Sequence, residues 1–465
     1  MALTKKDFPA DFVFGTATAA YQVEGATTEG GRGPSIWDDF AATRGTIADG
    51  STGEPADDHY HRYLEDVQLM ADLGVNGYRF SISWSRIQPD GVGPANPEGV
   101  GFYRRLAQAL IARGITPYAT LYHWDLPSAL EEQGGWLNRD TADRFAEYAR
   151  LVAAELGDLV THWITLNEPW CSAFLGYASG IHAPGKQVGT EASHAAHHLL
   201  LGHGRAVCAI RAERPQAAVG VTLNLYAMNA ASERDEDKDA ARRVDGLQNR
   251  FFLDAVLSGE YPADVLHDLG EEEWFGANPA ADAAEIAVGL DFLGINYYSR
   301  HTVAAGGTTA GRASAYPGSD FVRMVDTGAP RSRMGEIYPG GLLEVLRMAT
   351  GRQPGLPLYI TENGAPYEDT VREDGRILDE ERRDYLEKHL AACAEAVRQQ
   401  LPLKGYFAWS LLDNWEWSSG YAQRFGIVYV DYETQRRTVK LSGRWFAGVL
   451  GGAAAAIPPA AAGAS

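Results

Sequence analysis

The 465-residue chain has little cysteine: Cys171, Cys208 and Cys393 are too few and too scattered for a disulfide framework or a thiolate metal site. It also lacks any apolar run long enough to span a bilayer. Its opening residues, Met1 to Pro9, contain no apolar core of a secretion signal. Basic residues are in deficit, with 41 Lys and Arg against 61 Asp and Glu, a formal net charge of -20. Such a surface repels nucleic acid and anionic membranes, which argues against both as partners. No glycine-rich phosphate turn follows the first strand candidate, so no nucleotide cofactor is expected. These absences leave a soluble cytoplasmic protein without cofactors as the expectation.

What is present is a large apolar complement, 45% of residues, enough for a substantial core. Strand and helix patterns alternate along it. Strands are read at Phe12 to Tyr21, Val75 to Trp84, Ile115 to Trp124, His162 to Pro169, Ala218 to Tyr226, Asp291 to Ser299, Leu358 to Glu362 and Leu403 to Leu412. Helical spacing is read at Asp57 to Gly74, Phe102 to Arg113, Thr141 to Leu156, His194 to Arg214, Ala240 to Leu257, Gly341 to Thr350, Asp379 to Gln400 and Ser442 to Leu450. Eight such repeats predict one α/β domain over 1–450, a closed (β/α)8 TIM barrel with long βα loops. The Ala/Gly/Pro-rich stretch 451–465 reads as a disordered tail.

A barrel of this kind carries its site where strands end, and here the ends are polar or aromatic. They read Gln22, Trp84, His123-Trp124, Asn167-Glu168, Asn224, Asn296-Tyr-Tyr298, Glu362-Asn363 and Trp409 onward. Asn363-Gly364 is also a hairpin signal, but no alternating strand follows it. Glu168 and Glu362 end strands four and seven, so closure of the barrel points both at one mouth. Two facing carboxylates without metal ligands suit acid/base and nucleophilic work on an acetal. Aromatic faces and Asn, Gln and His groups around them suit a sugar.

Seven stretches carry a family resemblance. They are Phe14-Gly-Thr-Ala-Thr-Ala-Ala-Tyr-Gln-Val-Glu-Gly25, Tyr78-Arg-Phe-Ser-Ile-Ser-Trp-Ser-Arg86, His123-Trp-Asp-Leu-Pro127, Thr165-Leu-Asn-Glu-Pro169, Asn296-Tyr-Tyr298, Tyr359-Ile-Thr-Glu-Asn-Gly364 and Trp409-Ser-Leu-Leu-Asp-Asn-Trp-Glu-Trp417. In this order they resemble glycoside hydrolase family one, the retaining β-glucosidases, over roughly Phe8 to Leu450. The resemblance implies that Glu168 is the general acid/base and Glu362 the nucleophile of a double displacement through a covalent glycosyl-enzyme. It implies Arg79, Asn296 and Tyr298 beside the nucleophile, with Arg79 and Tyr298 holding it ionised. Asn167 would bond the 2-hydroxyl. Gln22, His123, Trp124, Trp409, Glu416 and Trp417, with Phe425 nearby, would bind the non-reducing sugar, Trp409 as its platform.

The implied activity is exo-hydrolysis of terminal β-D-glucosyl residues from β-glucosides and cello-oligosaccharides. The implied partner is a small β-glycoside. Glu416 would repel a phosphate, which disfavours a 6-phospho-β-glycosidase. A transglycosylase would share every residue. A non-catalytic sugar-binding relative is expected to lose one of the two glutamates, and both are present. One departure concerns Met334-Gly335-Glu336, where relatives commonly carry a Trp between Gly and Glu that stacks on the leaving group.

Three other features carry no function in this reading. His194, His197, His198 and His203 share one helix but lack a further metal ligand. Cys171 is expected to be a small core residue. Ser232 to Arg243, a dense run of charge, is expected to be a solvated helix or loop.

Overall fold

The computed structural model describes residues 3–277, 279–307 and 313–455. Eight parallel strands close into a barrel in sequential order. They are β1 (Val13–Ala17), β2 (Gly77–Ser81), β3 (Thr116–Tyr122), β4 (His162–Asn167), β5 (Ala218–Asn224), β6 (Phe292–Asn296), β7 (Leu358–Asn363) and β8 (Leu403–Trp409). Nearly every strand residue is buried, because helices cover the outer face and side chains fill the inner one. That is why the strands read as continuous apolar runs rather than alternating ones.

The barrel interior beneath the mouth is aromatic. The Tyr118 ring lies 4.4 Å from His162 and 5.0 Å from Phe407, and Phe292 lies 5.4 Å from Tyr359. Gly15 makes room for this packing, since a Cβ there would sit 2.2 Å from Phe407. The outer helices dock by apolar stripes. Helix Asp140–Leu156 buries Phe145, Tyr148, Ala149, Val152 and Leu156, an i, i+3/i+4 series. The Tyr148 hydroxyl donates to the carbonyls of Ile82 and Leu121, pinning that helix to β3.

The eight expected strands are all observed, but several are shorter than read. The first ends at Ala17, and Ala20–Val23 forms a helical turn that carries Gln22. The second ends at Ser81, and Trp84–Ile87 is again a helical turn. Apolar runs give no period at their ends, so strand and turn look alike there. The helix expected from Phe102 starts at Pro97, with the Asn96 side chain capping Glu98 N; Asn-Pro was the start signal.

The helix read at Ala240 to Leu257 is observed, within a helical run from Asp235 to Ser258. Asp235–Asp245, a wide turn at Gly246–Arg250 and Phe251–Ser258 follow one another. The charged stretch from Ser232 is helical from Asp235 onward, with Arg242 and Arg243 laced to Asp239, Asp264 and Asp268.

A second, small sheet was not foreseen. Strands Ala227–Ala230, Arg300–Ala305, Val322–Met324, Arg331–Ser332 and Gly335–Glu336 form it beside the mouth. A hairpin, Val428–Asp431 with Arg436–Val439, follows β8. No hairpin follows Asn363: a Cβ on Gly364 would sit 1.8 Å from the carbonyl oxygen of Trp409, so this glycine serves close chain approach. Of the stretch 451–465, the first five residues are ordered, with a turn at Ala453–Ala455 and Ala454 buried. The other ten lie outside the described residues.

Candidate active site

The strand ends converge as the barrel geometry requires. Glu168 follows β4 with a positive φ of 44°, a left-handed conformation that costs a non-glycine residue about 1–3 kcal/mol. The ladders slip just before both glutamates, between Ile164 and Asn167 on β4 and between Ile360 and Glu362 on β7. Such irregularities re-aim side chains, and here they turn both carboxyls into the mouth.

Among the described residues, Arg79 on β2 is the basic group that pairs with Glu362. Its Nη1 donates to Glu362 Oε1 at 2.5 Å and its Nη2 to Asn167 Oδ1 at 2.6 Å. Tyr298 donates its hydroxyl to Glu362 Oε2 at 2.6 Å. Asn296 donates from Nδ2 to Glu168 Oε1 at 2.7 Å and to Asn167 Oδ1 at 3.0 Å, while its own Oδ1 accepts from Thr361. Every residue implied to support the nucleophile therefore touches one of the two carboxyls.

The two glutamates are unequal. Burial pushes the Glu168 carboxyl up, and the charge of Glu362 pushes it further, to about 7. Burial also raises Glu362, but Arg79 and the Tyr298 hydroxyl oppose it. One carboxyl is thus suited to hold a proton near neutrality and the other to be an anion. That division is what acetal cleavage by an acid and a nucleophile needs.

The sugar-binding candidates line the same mouth. His123 Nε2 accepts from Asn167 Nδ2 at 2.9 Å, which puts the ring proton on Nδ1. Burial and Arg79 hold this imidazole neutral, and its Nδ1 has no protein partner. Gln22 Nε2 is consumed by Glu416 Oε2, Asn414 Oδ1 and Trp415 O at 2.9–3.1 Å, leaving its buried Oε1 unpartnered. A free donor and a free acceptor, both buried, are matched to hydroxyl groups. Burial raises Glu416 to about 8, with Glu362 adding to the rise.

The aromatic wall is continuous. His123 stacks between Trp409 at 5.9 Å and Trp417 at 5.8 Å, and Trp417 packs on Trp124 at 4.6 Å. Trp124 donates to the Asn167 carbonyl at 2.9 Å. Phe425 meets the edge of Tyr298.

Two contributions escaped the sequence reading. Trp37, in the short helix Ile36–Ala42 between β1 and β2, backs Trp417 at 4.7 Å, and no local signal marks it. Cys171 is buried as expected, but its thiol lies 3.1 Å from Glu168 Oε2. The i+3 spacing was the available clue, since the chain turns helical at Glu168. The histidine helix holds no metal-like cluster. His194 pairs with Glu271, His197 with Tyr261 and Asp282, His198 with the Trp136 carbonyl and His203 with Thr165. Among the described residues no three His, Cys, Asp or Glu side chains are grouped to hold a metal ion. No helix among them is long and apolar enough to cross a membrane.

This geometry has known relatives, and the profile of Glycosyl hydrolase family 1 matches residues 4–452. The chain belongs to glycosyl hydrolase family 1. As a member of that family it is a glycoside hydrolase acting on O-glycosyl bonds. Beta-glucosidase A of Thermotoga maritima is 44% identical over 447 residues, 96% of this chain and 98% of that protein. The 1,4-beta-D-glucan glucohydrolase of Thermotoga neapolitana is 44% identical over the same shares of both chains. Among solved structures, the psychrophilic beta-glucosidase of Micrococcus antarcticus superposes with a TM-score of 0.92 at 46% identity, covering 97% of this chain and 99% of that one. The family 1 chain thus matches its relatives nearly end to end, barrel and loops together.

Proposed function

We propose that the protein is a retaining, exo-acting β-glucosidase that removes terminal β-D-glucosyl residues from β-glucosides and cello-oligosaccharides. The relatives named beta-glucosidase and glucan glucohydrolase support the substrate class. The observation that carries the mechanism is the unequal pair: Glu362 held by Arg79 and Tyr298, Glu168 raised to about 7 by burial and by Glu362.

In this reading Glu362 attacks the anomeric carbon while Glu168 protonates the departing oxygen. Formation of the glycosyl ester removes the charge of Glu362. The Glu168 carboxyl then falls back toward an ordinary value and accepts a proton from the water that releases glucose. Asn167, fixed by Arg79 and Asn296, presents its amide near the nucleophile, where a 2-hydroxyl would lie.

The free-sugar reading is supported by the loop after β8. Its one cation between Glu416 and Gly426, Arg424, is committed to Asp413 at 2.7 Å and to the Val430 carbonyl at 3.0 Å. No cation of that loop is left free to meet a phosphate.

The test is proton NMR of an aryl β-glucoside during its first minutes of turnover. Early β-glucose is expected. Early α-glucose would mean inversion and would remove Glu362 from its nucleophilic role.

A further inference from the structure

We propose that Cys171 is a positioning residue for Glu168: its thiol faces Oε2, the oxygen that carries the acid's proton, and tunes the ease of that proton's transfer. The inference rests on the reading of Glu168 as the acid/base. The two carboxyl oxygens have different partners. Oε1 accepts from the amide Nδ2 of Asn296 at 2.7 Å, and Oε2 accepts from the thiol of Cys171 at 3.1 Å. An amide is the stronger donor and cannot reverse its role, because the Asn296 oxygen is itself held by Thr361. The better acceptor of a neutral carboxyl is its carbonyl oxygen. Asn296 therefore claims Oε1 as the carbonyl, and the proton resides on Oε2.

The thiol is held for this purpose. Asn224 Nδ2 approaches Sγ at 3.6 Å, so sulfur accepts from one side and its own hydrogen points to Oε2. Cys171 opens a wide helical segment, Cys171–Ala178, and its backbone N donates to the Glu168 carbonyl at 2.9 Å. In the transfer step the Oε2–H bond breaks and a hydrogen–oxygen bond forms on the leaving group. The glycosidic C–O electron pair goes to that oxygen. Oε2 keeps a lone pair toward the thiol throughout, so the S–H bond is neither made nor broken. The thiol stabilises the carboxylate more than the acid, and this makes Glu168 a readier donor.

The titratable groups facing Glu168 come from several elements. Glu362 lies on β7, Arg79 on β2, Tyr226 after β5, Tyr298 after β6 and Glu416 after β8. Substitution of Cys171 leaves all of them in place.

The experiment is the pH dependence of kcat/KM for Cys171→Ala and Cys171→Ser, with cellobiose and with 2,4-dinitrophenyl β-glucoside. For Cys171→Ala with cellobiose, the alkaline limb is expected to move up by roughly half to one pH unit, the worth of one hydrogen bond. Cys171→Ser, which keeps a donor, should return the limb to the wild-type position or below it. The dinitrophenyl substrate, whose leaving group needs no proton, should show no shift in either variant. A limb unmoved in Cys171→Ala, or moved equally in both variants, would overturn the proposal. Azide rescue of Glu168→Ala separates the two levels. Rescue with an unmoved limb rejects the role of Cys171 alone, and absence of rescue rejects the acid/base assignment beneath it.

Discussion

Arg79 and Glu362 meet across the barrel, Nη1 to Oε1 at 2.5 Å, with side-chain exposures of 1% and 5%. The contact joins the middle of β2 to the end of β7, two strands distant in sequence and not adjacent in the sheet. The second arm of the same guanidinium holds Asn167. One planar cation thereby sets the charge of one group and the orientation of another, which a lysine could not do.

Arg79→Lys should therefore keep a folded protein but lower kcat on the order of 100-fold, since charge remains while the fork is lost. Arg79→Met should go further, leaving a buried carboxylate unpaired at a cost of about 3–5 kcal/mol. Its acid limb should move to higher pH as Glu362 loses its cation. Thermal unfolding and a pH profile read the two effects separately, and an unchanged profile would contradict the pairing.

Wild-type kcat/KM should be bell-shaped. The acid form of Glu168 is required, so activity falls as pH rises through about 7. The anion of Glu362 is required, so activity also falls as pH drops through its own raised value. Glu168→Gln should abolish the alkaline limb along with most turnover of alkyl glucosides.

The same substitution should stabilise the fold. A carboxyl raised from 4.5 to about 7 binds its proton more tightly when folded. Its favourable contribution is complete below 4.5 and is lost as pH rises through about 7. Glu168→Gln should consequently melt higher than wild type above pH 7, on the order of 2–3 kcal/mol, and no higher near pH 4. A scan at the two pH values decides it.

Azide distinguishes the two carboxyls by product. With Glu168→Ala and an activated aryl glucoside, azide should take the place of water and yield the β-glucosyl azide. With Glu362→Gly it should attack from the vacated face and yield the α-glucosyl azide. The same anomer from both variants would sink the division of roles.

Lys440 supplies a stability test remote from the chemistry. It is wholly buried between Asp369 at 2.6 Å and Asp413 at 2.5 Å, and Asp413 Oδ1 also accepts from Gly426 N. Asp413 lies on the loop that carries Glu416 and Trp417. Lys440→Met should cost on the order of 1–3 kcal/mol, because each carboxylate loses one buried donor while Asp369 keeps Arg382 and Asp413 keeps Arg424. It should raise KM through that loop more than it lowers kcat. A loss of stability with KM unchanged would show that the network does not steady the sugar-binding loop.

The chain by itself determined the repeat of eight strands and helices, and the strand-end positions of Glu168, Glu362 and Asn296. Those are local properties, written in apolar runs, helical stripes and polar residues where the runs stop. The departures were local as well: Gln22 and Trp84 lie on helical turns because a buried run carries no period to mark its end. The short strands beside the mouth, such as Arg331–Ser332 and Gly335–Glu336, are too brief to show a pattern.

Closure of the barrel decided the rest. It brought Arg79 onto Glu362, Asn296 between the two carboxyls and the thiol of Cys171 onto Glu168. It also set the two acids apart in strength, because burial and the field of a neighbouring charge exist only once distant strands share one low-dielectric space. Residue types and order made a sugar-cleaving site legible; which oxygen faces which donor depends on distances that only the folded chain possesses.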